Sequence, residues 1–196
     1  MLNLNHHYVL LFIKAKAGRW VKSSSPAFCT REYEKKFDKS LIISEKNCKL
    51  GFTQILICKP FDKHGRPFPT TFWLTCPYLI KLAGKIESEG GVHELERYIN
   101  SKGLKHEWVK YNLIHQRIKL KLLNKNLIKF MRKYHNKIFK SLMRSGIGGI
   151  KYDNENIFVK CLHLQTASYL GLGFHFAEEW LKEKGLRIDC ECGKNL

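Results

Sequence analysis

Apolar residues change their spacing along the chain, and each change predicts a different kind of element. Residues 52–58 and 68–75 are short runs rich in β-branched and aromatic side chains, and residues 62–67 (Asp-Lys-His-Gly-Arg-Pro) separate them with turn chemistry. The pattern predicts a β-hairpin or a pair of neighbouring strands. From Pro77 the apolar spacing lengthens to three and four, which predicts a helix over 77–89 stopped by Gly90 and Gly91. A shorter helix follows over 92–101, closed by Gly103. Leu104, Trp108, Tyr111, Ile114, Ile118 and Leu122, then Leu127, Met131, Tyr134, Ile138 and Leu142, keep the same period. They predict one long amphipathic helix, or two broken near residues 124–126, with Lys and Arg on the opposite face.

The remainder is less regular. A glycine-rich turn at 146–149 leads to a strand-like segment at 157–160. A last helix is expected from Leu162, broken around Gly171 and Gly173 and resuming to Lys184, ahead of a tail over 185–196. Residues 1–47 read as irregular, with a possible strand at 8–15, a loop at 23–26 and a short charged helix at 30–39. The expectation is an α+β fold, a helix-dominated single domain with a small β-hairpin or sheet and a long basic amphipathic helical segment.

Length and composition narrow the class. At 196 residues and 44% hydrophobic, the chain suits one domain with a sizeable core, which excludes wholesale disorder. Its longest apolar run, residues 8–13, is far shorter than the roughly 20 residues of a bilayer helix. No Lys or Arg precedes that run and no small-residue cleavage site closes it, so a cytoplasmic protein is expected.

Charge adds a class of partner. Residues 102–144 carry thirteen Lys and Arg and one acid, Glu107, an excess of 12 in a chain of net charge +18. A basic helical face of this kind is either a solvated surface or a footprint for phosphate: nucleic acid, another polyanion or an anionic membrane surface. Its phosphate-facing positions are Lys119, Lys121, Lys125, Lys129, Arg132, Lys133, Lys137 and Lys140. Lys outnumbers Arg there, which favours non-specific contact over bidentate reading.

Seven cysteines supply the candidate chemistry. Cys76 precedes Pro77 and reads as the N-cap of the first helix, while Cys161 stands where a strand-like segment gives way to the helix at Leu162. A helix N-terminus favours thiolate, the form that binds metal or acts as a nucleophile. His163 is close enough to Cys161 to share a site. Cys190 and Cys192 form a Cys-x-Cys-Gly pair in the tail, and Cys48 opens a turn before the first strand. Cys29 and Cys58 read as packing residues, and the other histidines as surface or packing residues. No pair of Cys-x-x-Cys motifs marks a zinc finger, and disulfides are not expected without export.

Residues 65–80, Gly-Arg-Pro-Phe-Pro-Thr-Thr-Phe-Trp-Leu-Thr-Cys-Pro-Tyr-Leu-Ile, resemble the signature of the bacterial family termed domain of unknown function 501. Cys-Lys-Leu-Gly at 48–51, Glu-Ser-Glu-Gly-Gly at 87–91, Gly148-Gly149 and Val-Lys-Cys-Leu-His at 159–163 agree with it in order. The resemblance covers roughly residues 46–175. The domain is set at 46–196, and residues 1–45 form a weakly matched N-terminal segment. An Asn-Pro-x-Gly segment expected after the last helix's glycines is replaced by Phe174-His175-Phe176.

The resemblance brings no established activity, but it implies that Cys48, Cys76, Cys161 and one tail cysteine, Cys190, form a set. Four thiolates from separate segments suit an iron–sulfur cluster, with zinc as the alternative. His163 would then donate to the cluster or substitute as a ligand, as would Cys192. If the protein is an enzyme, the Cys-bound metal beside His163 and Thr75 would be the chemical centre. Two other readings stay open: a non-enzymatic RNA- or DNA-binding module with packing cysteines, and a thiol enzyme using Cys76 or Cys161 with His163 as base.

Overall fold

The computed structural model describes residues 38–153 and 155–187. Three antiparallel strands, β1 (Ile42–Asn47), β2 (Thr53–Cys58) and β3 (Phe72–Leu74), form a sheet in the order β1-β2-β3. Ile55 pairs with Leu74 and Ile57 with Phe72; Asn47 pairs with Thr53 at the β1–β2 turn. Seven α-helices follow: α1 (Pro77–Ser88), α2 (Gly91–Ser101), α3 (Lys105–Lys121), α4 (Lys125–Tyr134), α5 (Asn136–Arg144), α6 (Leu162–Leu172) and α7 (Glu178–Glu183). The helix-dominated α+β architecture is the one that the apolar spacing predicts.

Helix α6 is the axis of the molecule. Seven of its eleven residues are buried, so it lacks the single apolar stripe of a surface helix. On one side Ala167 and Leu170 meet Ile55, Phe72, Leu74 and Leu79 from the sheet and α1. On the other, Leu162 and Tyr169 join Ala83, Leu95, Trp108, Trp180 and Leu181. Gly171 lets β3 come this close: a Cβ there would lie 2.5 Å from the Phe72 ring. A third cluster, Phe61, Met131, Phe139, Leu142 and Met143, seats α4 and α5 on the loop that precedes β3.

The structure departs from the pattern in four places. Strand β1 falls within residues 1–47, whose sequence reads as irregular; it is an edge strand with no fully buried residue, so its sequence carries little apolar signal. Strand β3 covers only three residues of the predicted 68–75, because Pro67 and Pro69 lack N–H groups for a ladder. Residues 157–160 form no strand and pair with none among the described residues. The basic segment breaks twice. Asn124 caps α4 through its side chain, as expected near 124–126, and a second break at His135 separates α4 from α5. The expectations for residues 8–15 and 23–26, and most of 30–39, lie outside the described residues.

Candidate metal centre

The C-terminal end of α1 meets the N-terminal end of α6, and the residues at this junction converge. Glu87 belongs to the last turn of α1. The chain enters α6 extended, held by the Val159 N–H donating to Glu96 Oε1 at 2.9 Å and by Lys160 Nζ donating to the Gly148 carbonyl at 3.3 Å. Cys161 is the N-cap, with φ −167° and ψ 158°, but its side chain makes no cap hydrogen bond. Glu87 supplies the cap from another helix. Its Oε1 accepts the N–H of Leu162 at 2.5 Å and that of His163 at 3.2 Å, satisfying donors that a helix start otherwise leaves open.

The same oxygen lies 2.9 Å from His163 Nδ1, while Nε2 lies 3.2 Å from the Ile80 carbonyl. Both partners are acceptors, so both ring nitrogens carry protons when the site holds no other cation. The imidazole is accordingly pushed up to about 9, chiefly by its hydrogen bond with Cys161 and then, against the opposing effect of burial, by that with Glu87. Ligand atoms of Glu87, Cys161 and His163 all lie within 4.8 Å of one another, and all three residues are half-buried. It is the one group of three or more metal-ligating side chains among the described residues.

The other predicted ligands lie elsewhere. Cys76 is buried at the N-cap of α1, its N–H donating to the Gln54 carbonyl at 3.2 Å. Eleven residues of helix at 1.5 Å each put about 16 Å between it and Glu87. Cys48 sits in the β1–β2 turn, its N–H donating to the Phe52 carbonyl, also beside the start of β2. The structure therefore brings Cys161 together with His163 and Glu87, and leaves Cys48 and Cys76 at the opposite end of α1. Thr75 is there too, donating to the Thr53 carbonyl. Cys190, Cys192 and Cys29 lie outside the described residues. Cys58 is fully buried and its thiol is pushed up to about 12 by burial, as befits a packing residue.

The basic face needs one correction. Lys121, Lys125, Lys129, Arg132, Lys133, Lys137 and Lys140 are exposed, but Lys119 is 1% exposed and unavailable to a polyanion. Its Nζ donates to the carbonyls of Leu142, Ser145 and Gly146 and to Ser145 Oγ, at 2.6 to 3.2 Å. It thus closes the C-terminal end of α5, where a cation is favoured.

The fold and the junction define a small helix-dominated α+β domain carrying a mixed sulfur, nitrogen and oxygen donor group. The chain belongs to the family described as Protein of unknown function (DUF501), whose model matches residues 44–183. No curated protein and no solved structure matches it. Among the described residues, no helix is long and apolar enough to cross a membrane.

Proposed function

We propose that the protein is a metal-binding protein in which Glu87, Cys161 and His163 hold a single divalent d-block cation of the zinc type. The observation that carries this reading is the convergence of one sulfur, one nitrogen and one oxygen donor within 4.8 Å at a half-buried junction. Capping of α6 accounts for the two backbone contacts of Glu87, but not for the approach of Cys161 and the His163 ring to the same point. Three protein ligands with solvent access match zinc sites that keep a position open for water or substrate. The Ile80 carbonyl would orient the ring through Nε2, as outer partners of ligating histidines do. A bound cation would supply Lewis acidity to a water or carbonyl at the open position.

The donor set favours a single ion over the iron–sulfur cluster expected from the sequence, since clusters of that kind are held mainly by thiolates. The thiol-enzyme reading keeps one observation in its favour, the hydrogen bond between His163 and Cys161 that chiefly raises the imidazole.

Cobalt(II) titration of the metal-stripped full chain tests the reading. We expect one cobalt per chain with a sulfur-to-metal charge-transfer band, lost in Cys161→Ser and weakened at least tenfold in affinity in Glu87→Gln. Cys48→Ser and Cys76→Ser should leave the band in place. A band that survives Cys161→Ser, or purified protein containing iron and acid-labile sulfide, would overturn it.

A further inference from the structure

Helix α4 exposes aromatic rings in the middle of the basic face. Phe130 is 48% exposed and Tyr134 59%. They are four residues apart on α4, with ring centroids 5.1 Å apart. The His135 ring continues the row, 5.7 Å from Phe130. Lys133 Nζ lies 4.9 Å from the Tyr134 centroid, and Lys129, Arg132 and Lys137, near these rings in sequence, are all exposed. No acidic residue occurs between Glu107 and Asp153 to neutralise them. The core does not use these rings, because α4 turns Leu127, Ile128 and Met131 toward Phe61 instead.

We propose that this ledge is a binding surface for single-stranded nucleic acid, with bases stacked on Phe130, Tyr134 and His135 and phosphates met by Lys129, Lys133 and Lys137. The inference rests on exposure and charge alone and does not depend on the metal centre. Exposed rings offer a face to any unpaired base, and a lysine frame follows a phosphate backbone without reading sequence. A duplex hides its base faces and leaves the rings unused. An anionic membrane would need a broad aliphatic face, whereas Leu127, Ile128, Met131, Leu142 and Met143 pack into the third cluster and leave Ile138, 44% exposed, as the one large aliphatic side chain of α4 and α5 on the surface.

Fluorescence anisotropy of the full chain with a labelled mixed-sequence RNA strand of about 12 nucleotides provides the test. The same strand annealed to its complement, and phosphatidylcholine vesicles containing phosphatidylserine, serve as the other arms. We expect the single strand to bind most tightly, with affinity falling linearly in log–log dependence on salt. Phe130→Ala with Tyr134→Ala should weaken single-strand binding at least about tenfold and leave the salt slope unchanged. Lys129→Gln, Lys133→Gln and Lys137→Gln should each lower the slope by about 0.7. Because Phe130 and Tyr134 are exposed, a matching circular-dichroism melt would show that the aromatic variant is folded. Equal binding by that folded variant, equal affinity for the duplex, or binding to vesicles without binding to RNA would each overturn the proposal.

Discussion

Mild acid should destabilise this protein through two buried histidines, and the size of the loss follows from their surroundings. His175 is 5% exposed; its Nε2 donates to Gln165 Oε1 at 2.9 Å and its Nδ1 accepts the Ala177 N–H at 3.0 Å. Only the neutral ring fits, since a second proton would point Nδ1–H at another N–H. His115, 3% exposed, shares a network in which its Nε2 lies 2.5 Å from Ser168 Oγ, which donates to the Tyr111 hydroxyl at 2.8 Å. Burial pushes both imidazoles down to about 3; the charge of Lys119 adds to this for His115, and that of His115 for His175. The folded value lies below the unfolded one, so the unfolded chain binds the extra protons and stability falls as pH drops below about 6.5. At about pH 5 each histidine costs about 2 kcal/mol, a figure insensitive to the folded value once that is well below 5. The pair costs about 4 kcal/mol.

His163 works in the opposite sense. Its folded value is raised to about 9, so its contribution is fully present below about 6.5 and is lost as pH rises through 9. A difference between proteins isolates the buried ring. Urea unfolding of wild type and His175→Asn, each at about pH 7.5 and pH 5, should show the variant weaker at the higher pH but about 2 kcal/mol less sensitive to the change. An identical pH dependence in the two proteins would refute the assignment of His175 as a neutral, buried base.

Other residues give sharper single-variant tests. Lys119→Met leaves the carbonyls at the end of α5 without their buried donor, and should lower the unfolding free energy in urea by about 3 kcal/mol; a loss below about 1 kcal/mol would mean that the cradle is dispensable. Gly171→Ala should cost about 1–3 kcal/mol, because the Phe72 ring it meets at 2.5 Å is itself held edge-on by His115; a thermal melt of the variant, with Phe72→Leu added to relieve the clash, checks it. Iodoacetamide labelling of the folded, metal-stripped protein, read by mass spectrometry, should modify Cys161 and leave Cys58 untouched until urea is added, since burial holds the Cys58 thiol near 12.

Two of the three residues of the candidate metal centre were legible in the sequence. Cys161 and His163 are two residues apart at a helix start, so local spacing alone brings them together. Glu87 is 74 residues before Cys161, and no local pattern joins the two. One clue was present: Glu87 and Glu89 crowd the C-terminal end of α1, where the helix dipole disfavours acids. Glu87, placed against the dipole of its own helix, serves the N-terminus of α6. The wide cysteine set failed to assemble for a related reason. Cys76 does occupy the N-cap predicted for it, yet a rigid helix of twelve residues then holds it away from Cys161.

Lys119 makes the same point in reverse. On α3 the buried residues are Trp108, Tyr111, Asn112, His115, Ile118 and Lys119, a plain three-and-four spacing in which position 119 belongs to the inner face. Assigning every lysine to the outer face let residue type override position. Read by position, the period places a charge inside, and a buried ammonium has to find acceptors. The carbonyls at the end of α5 supply them. Helix α3 therefore anchors α5 through Lys119 while the Phe61 cluster holds α4 and α5 from the other side. That anchoring lets α4 turn Phe130 and Tyr134 outward: with packing met by Met131 and Phe139, the aromatic ledge remains exposed within a face whose charged residues are all cationic.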